Sequence, residues 1–121
     1  MSLPPLSVVV VARNEAGRLP ALLADLAAGS ALVRGVLVVD GESSDRTAAV
    51  ARLAGARVLR EPPCRGRQLA RGVDAGSGPW LLLLHGDVRL PADWAHQVWA
   101  VLDRQKGPLP GRGDEAWCFP L

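Results

Sequence analysis

Aromatic residues, lysine and cysteine are all scarce in this chain of 121 residues. Aromatic side chains make up 4% of the sequence, and Lys106 is its single lysine beside thirteen arginines. Nucleic-acid-binding domains combine a strongly basic surface with aromatic side chains, whereas this chain has a formal net charge of only +2, so we expect no nucleic-acid partner. The arginines do suit bidentate contacts with phosphate groups.

The two cysteines, Cys64 and Cys118, lack the paired spacing of a zinc cluster or a disulfide framework. Two free thiols are typical of a reducing compartment, and residues 1–5 lack the basic start of a signal peptide. No apolar run approaches the roughly 20 residues that a membrane-spanning helix needs. We therefore expect a cytoplasmic protein with no transmembrane segment.

Glycine-rich phosphate loops are missing as well. Residues 12–17, which follow the first apolar run, contain one glycine where a dinucleotide-binding fold has G-x-G-x-x-G. Neither the P-loop pattern nor the G-x-S-x-G elbow of hydrolases occurs. A redox Rossmann domain is therefore disfavoured, and so is a nucleotidyltransferase with a glycine-rich first loop.

Apolar runs alternate with segments of helical period along the first hundred residues. Short apolar runs predict strands at 6–12, 36–40, 56–59 and 81–84, and the leucine run of the fourth predicts a strand buried on both faces. Helical spacing and stop signals predict helices at 19–27, 45–54, 65–75 and from Pro91 onward. The alternation predicts an α/β fold, a mostly parallel Rossmann-like sheet with helices on both faces.

The composition changes beyond Lys106. Residues 107–121 are rich in glycine and proline at first and then show no hydrophobic period. We expect one α/β domain at residues 1–106 and an irregular C-terminal tail at residues 107–121.

Carboxylates follow three of the predicted strands: Glu15, Asp40 and Asp87. The carboxyl ends of parallel strands meet at one edge, where α/β proteins collect ligands. Taken singly, each acid could instead cap a turn or lie in a solvated loop. The coincidence of three favours a metal ion or a phosphate-bearing ligand, because an ionised acid at the rim of a core needs a cation or several donors.

Polar side chains near these acids have local interpretations. Ser43 or Ser44 is predicted to cap the second helix, with Asp45 in its first turn. Arg65 and Arg67 could face a pyrophosphate held near the acids, whereas Arg71 is expected on a solvated helix face.

Four segments resemble, in order, the donor-site motifs of family 2 glycosyltransferases with the GT-A fold. They read SVVVVARNE at 7–15, VVDGESSDRT at 38–47, RGRQ at 65–68 and LHGDVRLP at 84–91. The sequence is most similar to the subgroup of radical-SAM- and selenodomain-associated transferases, over roughly residues 6–102. The resemblance implies a truncated GT-A fold that carries the N-terminal, donor-binding half and transfers a sugar from a nucleotide-diphosphate sugar.

The resemblance also implies roles at the nucleoside. Arg13, Asn14 and Glu15 would line its pocket, with Glu15 holding ribose hydroxyls. Asp40 would accept a hydrogen bond from the base, which favours uracil and hence a UDP-linked donor.

At the diphosphate, the resemblance assigns Gly66 and Arg67 to close approach and includes Gly86 among the donor-binding residues. Asp87 matches the last acid of the family's D-x-D element, which binds Mg²⁺ or Mn²⁺. The first acid of that element is replaced by His85, a softer ligand, so the metal would depend on Asp87, phosphate oxygens and water.

The family continues past this point with an acceptor site and a general base, whereas this chain ends about thirty residues after Asp87. Asp114 and Glu115 match no family motif, so neither the base nor the acceptor is predicted. Apolar surface near Trp94, Trp99 and Trp117 is expected to remain uncovered and to drive self-association. The alternative is a catalytically inactive nucleotide-binding or assembly module.

Overall fold

The chain folds into a four-stranded parallel sheet with helices on both faces, in a computed structural model that describes residues 4–104. The strands are β1 (Leu6–Ala12), β2 (Val33–Asp40), β3 (Arg57–Arg60) and β4 (Trp80–His85). The helices are α1 (Leu19–Ala27), α2 (Thr47–Leu53), α3 (Arg65–Ala75) and α4 (Trp94–Arg104). The strand order is β3-β2-β1-β4, which confirms the predicted α/β class. The predicted boundary at 106 and the tail at 107–121 lie outside the described residues.

β1 lies in the middle of the sheet, and every one of its residues is buried. Because side chains alternate along a strand, Val8 and Val10 face a core formed with α1, α2 and α4. Val9 faces the other way and packs with Val39 beneath α3. A run of valines without polar alternation suits a strand covered on both sides.

α3 lies close to the sheet at Gly72. A Cβ atom on this residue would lie only 2.2 Å from Cγ1 of Val9. The glycine lowers helix propensity, yet it is what allows the helix to approach the strand.

β4 is not buried on both faces, so that prediction is wrong. Within the described part of the chain it forms an edge of the sheet, and Leu83 is 46% exposed. Leu83 pairs with Val9 and therefore points to the α3 side, but α3 packs over β1 and β2. The leucine run predicted the strand correctly, but it did not show that one face of the strand lacks a covering helix.

The expectation of uncovered apolar surface at Trp94 is also wrong. Trp94 is 4% exposed and packs in the core with Val98. Trp99 is 46% exposed, and Trp117 lies outside the described residues.

The start of α2 differs from the prediction. The helix begins at Thr47 with Arg46 as its N-cap, so neither Ser43 nor Ser44 caps it and Asp45 precedes its first turn. The Asp45 carboxylate accepts a hydrogen bond from the Thr47 N–H at 2.9 Å and supplies the missing cap.

Among residues 4–104, no helix is both long enough and apolar enough to cross a bilayer. The cysteine in this part of the chain, Cys64, is exposed and has a free thiol. Cys118 lies outside the described residues.

Candidate functional site

A hollow of about 240 Å³ opens at the carboxyl edge of the sheet, between the ends of β1 and β4 and the start of α3. Nine residues line it: Val11, Ala12, Arg13, Glu15, Pro63, Arg65, Gln68, His85 and Asp87. Ligands of parallel α/β sheets collect at this edge. The lining carries two guanidinium groups and two carboxylates, which suits a ligand that has both phosphates and hydroxyls.

Strand alternation decides which of the three predicted acids reach the hollow. Val11 pairs with His85, and both side chains point to the α3 side of the sheet. Ala12 pairs with Asp40, so the Asp40 side chain points to the opposite side. The three acids share one edge as predicted, but the hollow is lined by Glu15 and Asp87 and not by Asp40.

Asp40 is almost fully buried, with 1% of its side chain exposed. Its carboxylate accepts hydrogen bonds from the hydroxyl of Ser43 and, at 3.3 Å, from the Ser43 N–H. The Nε atom of Arg60 lies 3.7 Å from the carboxylate. These partners offset the cost of burying a charge, and the role of Asp40 at a base stays a prediction.

Asn14 joins the loop after β1 to the loop after β2. Its φ of 54° lies in the left-handed region, which asparagine tolerates better than most residues. Its side-chain oxygen accepts hydrogen bonds from the N–H (2.8 Å) and the hydroxyl (3.2 Å) of Ser44, and its own N–H donates to Oγ of Ser43 at 2.8 Å. Asn14 is exposed and supports the wall of the hollow from outside.

Gly86 lies where the loop after β1 meets the turn after β4. A Cβ atom here would lie 3.1 Å from the Ala12 Cβ and 3.3 Å from the Glu15 Cγ. Its N–H donates to the Val11 carbonyl at 2.9 Å. The missing side chain therefore allows the turn that carries Asp87 to pack against Glu15.

His85 and Asp87 both line the hollow, but no group of three or more metal-ligating side chains forms within residues 4–104. Mg²⁺ and related hard ions are commonly held by one or two carboxylates, with substrate phosphates and water as the other ligands. This donor set fits a metal ion shared with a bound diphosphate better than one enclosed by protein side chains.

The start of α3 forms the opposite wall. Arg65 and Gln68 line the hollow, whereas Gly66 and Arg67 lie between them in the first turn and are exposed. Cys64, the N-cap residue, makes no side-chain cap. The first N–H groups of a helix have no intrahelical acceptor, so this turn can donate to an anion.

Gln68 belongs to the motif at 65–68, but the sequence predicted no role for its side chain. It is buried, and its side-chain amide donates to the carbonyls of Ala12 (3.3 Å) and Val39 (3.1 Å). It thus ties α3 to the ends of two strands. Arg71 lies 3.7 Å from Glu61 and does not line the hollow, in agreement with its predicted place outside the site.

The segment after β4 is attached to α1 through Asp25, which the sequence also did not reveal. The Asp25 carboxylate accepts hydrogen bonds from Nε (2.7 Å) and Nη2 (3.0 Å) of Arg89 and from the Leu90 N–H (3.0 Å). The Trp94 indole N–H donates to the Asp25 carbonyl at 2.7 Å. The hydrogen bond from Arg89 lowers the pKa of Asp25 against the opposing effect of burial. No local pattern announces these contacts, because the partners lie more than sixty residues apart.

The sequence profile of glycosyl transferase family 2 matches residues 7–113. An uncharacterized glycosyltransferase of Mycobacterium tuberculosis is 36% identical over 107 residues, which are 88% of this chain and 47% of the relative. A 4,4'-diaponeurosporenoate glycosyltransferase of Staphylococcus haemolyticus is 49% identical over 53 residues, which are 44% of this chain and 14% of the relative. The chain thus spans about half the length of the first relative and less of the second.

The fold is also similar to that of a protein of known structure that is in complex with a nucleotide sugar. The chain is similar to glucosyl-3-phosphoglycerate synthase from Mycobacterium tuberculosis in complex with Mn²⁺ and UDP-glucose, with a TM-score of 0.70 and 26% identity. The superposition covers 85% of this chain and 40% of the synthase chain.

Proposed function

This chain belongs to glycosyl transferase family 2, and we propose that it is the donor-binding half of a glycosyltransferase acting on a nucleotide-diphosphate sugar. The observation that carries the proposal is the hollow at the carboxyl edge of the sheet, where Glu15 and Asp87 share the lining with Arg13 and Arg65. A nucleotide-diphosphate sugar offers hydroxyls and phosphates to the same site.

The nucleoside lies against the end of β1 in this proposal. The Glu15 carboxylate accepts hydrogen bonds from the ribose hydroxyls, with Arg13 beside it and Asn14 holding the loop. Asp40 supplies an acceptor for the base, shared with Ser43, which favours uracil. The UDP-glucose in the similar synthase supports UDP as the nucleotide.

The diphosphate lies at the first turn of α3. Arg65 and Arg67 supply positive charge, and the backbone at Gly66 allows close approach to the free N–H groups of the helix. As the nucleoside diphosphate departs from the sugar, these groups stabilise the charge that develops on it.

The divalent metal would be held by Asp87, with His85 as a second ligand and phosphate oxygens and water completing the shell. A bound metal supplies Lewis-acid neutralisation of the diphosphate. The Mn²⁺ in the similar synthase supports a divalent metal, Mg²⁺ or Mn²⁺, at this place.

The proposal extends to the subgroup of the family, the cellular compartment and the oligomeric state. The four motifs at 7–15, 38–47, 65–68 and 84–91 together support a place in the radical-SAM- and selenodomain-associated subgroup. The exposed free thiol of Cys64 supports a cytoplasmic setting. The exposed Leu83 and Trp99 support self-association, which sedimentation at micromolar concentration tests against a monomer.

Titration calorimetry with UDP tests the site. We expect the parent chain to bind UDP more tightly with Mn²⁺ than without it. Asp87→Asn should abolish that metal effect, and Glu15→Gln should weaken binding at least about tenfold, because hydrogen bonds to charged groups contribute roughly 1.5–3 kcal/mol. Asp74→Asn is the matched control, since Asp74 is an exposed acid on α3 outside the hollow.

Equal binding by the parent, Asp87→Asn and Glu15→Gln would place the nucleotide elsewhere. Incubation with a UDP-sugar and Mn²⁺ then separates an enzyme from a binding module. Release of UDP by the parent, lost in Asp87→Asn, supports the transferase, whereas binding without turnover supports the module.

A further inference from the structure

The loop after β1 presents three successive backbone N–H groups to side chains of the loop after β2 and of Thr47, the first residue of α2. The Asn14 N–H donates to Oγ of Ser43 at 2.8 Å, and the Glu15 N–H donates to Oγ1 of Thr47 at 2.9 Å. The Ala16 N–H donates to Oδ2 of Asp45 at 3.2 Å. The backbone beside the hollow is therefore fixed by side chains that do not line the hollow.

Each hydroxyl in this set also contacts a carboxylate. Oγ of Ser43 contacts Oδ1 of Asp40, and Oγ1 of Thr47 contacts Oδ1 of Asp45. An ionised carboxylate can only accept, so each hydroxyl donates its hydrogen to the acid and keeps its lone pairs for the backbone N–H. The result is two hydroxyl relays: the Ser43 relay from Asn14 N–H to Asp40, and the Thr47 relay from Glu15 N–H to Asp45.

The relays fix direction as well as distance. A free hydroxyl rotates, but one whose hydrogen is held by a carboxylate presents its lone pairs in a set direction, and bonds to an ionised acceptor are stronger than neutral ones. Thr47 is fully buried and Ser43 is half-buried, so water competes poorly for either hydroxyl. The two relays accept from the N–H groups of Asn14, whose backbone is left-handed, and of the next residue, Glu15.

We propose that Ser43 and Thr47 are positioning residues of the donor site, whose hydroxyl relays hold the Asn14–Glu15 backbone so that the Glu15 carboxylate stays in the hollow. This role rests on the proposed function for the nucleotide. It adds the support of the loop to the proposed role of Asp40 at the base, and it assigns Asp45 to the same support. It also gives Ser43 and Thr47, two of the three hydroxyl residues in the motif at 38–47, a role in holding the donor site. Neither Ser43 nor Thr47 lines the hollow.

The test uses the full chain and two readouts. Hydrogen exchange of backbone amides, followed by NMR without ligand, reports whether the relays hold the loop. Calorimetry with UDP and Mn²⁺ reports whether the loop must be held for binding. Thr47→Val removes the hydroxyl at nearly constant volume, and Thr47→Ser restores it.

We expect Thr47→Val to speed exchange at the Glu15 amide about tenfold and to weaken UDP binding by a similar factor, as for the loss of one buried hydrogen bond. Thr47→Ser should stay within about threefold of the parent in both readouts. Ser43→Ala should act on the Asn14 amide instead, and it serves as the second variant if Thr47→Val does not fold. The Gln97 backbone amide, which donates to the Asp93 carbonyl just before α4, should exchange at the parent rate in all of them.

Val98→Ala controls for a general loss of stability, because Val98 lies on the buried face of α4 and does not line the hollow. It should lower the melting temperature and leave UDP affinity unchanged. Unchanged exchange at Asn14 and Glu15 in the relay variants would overturn the relays. Faster exchange with undiminished UDP binding would overturn the positioning role. A parent that binds no UDP defeats the proposed function, and the exchange data then decide the relays alone.

Discussion

The two segments that border the hollow are held in place by different chemistry. The loop after β1 is tied to residues 43–47 by neutral hydroxyls that carboxylates orient. The segment after β4 is tied to α1 by the charged pair of Arg89 and Asp25 and by the buried indole of Trp94. One border of the site depends on directed hydrogen bonds, and the other depends on charge and on aromatic burial.

Because their supports differ, the two halves of the site can be perturbed separately. A hydrogen bond between a hydroxyl and a backbone amide joins two neutral groups, so salt screens it little. The attraction within an exposed ion pair is screened by salt. A buried indole stabilises through area and packing, which neither pH nor salt changes much. Changes on the β4 side should therefore alter global stability and its salt dependence, and changes on the β1 side should alter the donor site itself.

The largest expected effect is the loss of the indole. Trp94→Ala removes a buried ring and its hydrogen bond to the Asp25 carbonyl, and truncation of buried aromatics costs about 3–5 kcal/mol in the free energy of unfolding. Trp99→Ala is the comparison, because Trp99 is 46% exposed, and it should cost less than half as much. Urea denaturation measures both. Equal losses would mean that Trp94 does not anchor this segment to α1.

The next effect is at Gly86, where the two segments touch. Gly86→Ala places a methyl group 3.1 Å from the Ala12 Cβ and 3.3 Å from the Glu15 Cγ, so it should cost about 1 kcal/mol, the low end for overpacking, and weaken UDP binding. Ala12→Gly removes one of the crowded methyl groups. In a double-mutant cycle the two changes should show a favourable coupling. Simple additivity would show that the segments do not press on each other here.

The sequence predicted the layout of the fold well, because each strand and helix has its own local signal. The valine run of β1 and the helical spacing of Leu19 to Ala27 both fall within the observed elements. The exposure of Leu83 could not be predicted in the same way. A run of leucines indicates an apolar strand, whereas the burial of each of its faces depends on where the helices pack.

The site was predicted in part for a similar reason. Strand ends brought Glu15 and Asp87 to one hollow, since the topology of parallel strands decides that edge. The side to which Asp40 points depends on its register against Ala12, which no local pattern reveals. The relays join residues about thirty positions apart. From the sequence alone, Ser43 was therefore a candidate helix cap and Thr47 had no predicted role of its own.

Each border contains a carboxylate whose protonation at low pH should lower the stability of the fold. The hydrogen bond from Arg89 lowers the pKa of Asp25 from 3.8, and the hydrogen bond from the Thr47 hydroxyl lowers the pKa of Asp45 from the same value. A group whose folded pKa is lowered adds stability above its ordinary pKa and loses it as the pH falls through the folded value. Asp25→Asn and Asp45→Asn should each lower stability at pH 7 and make its decline below about pH 4 shallower.

Unfolding curves between pH 7 and pH 2 measure these slopes, and local exchange rates assign them. With Asp45→Asn the gain in exchange should concentrate at Ala16, which donates to that carboxylate. With Asp25→Asn it should concentrate at Leu90. A parent pH profile retained in both variants would mean that other acids govern the acid sensitivity.

The smallest effect, and the sharpest contrast, is that of salt. The Arg89 side chain is 65% exposed, so its attraction to Asp25 should be screened as the Debye length falls from about 10 Å at 0.1 M salt to about 3 Å at 1 M. The stability difference between the parent and Arg89→Gln should therefore shrink by about half over this range. The difference between the parent and Thr47→Val should stay constant, because a hydroxyl bound to an amide gives salt no net charge to screen. Parallel shrinkage in both variants would show that the loop after β1 is also held by charge, through Asp40 and Asp45, and the contrast between the two borders would be lost.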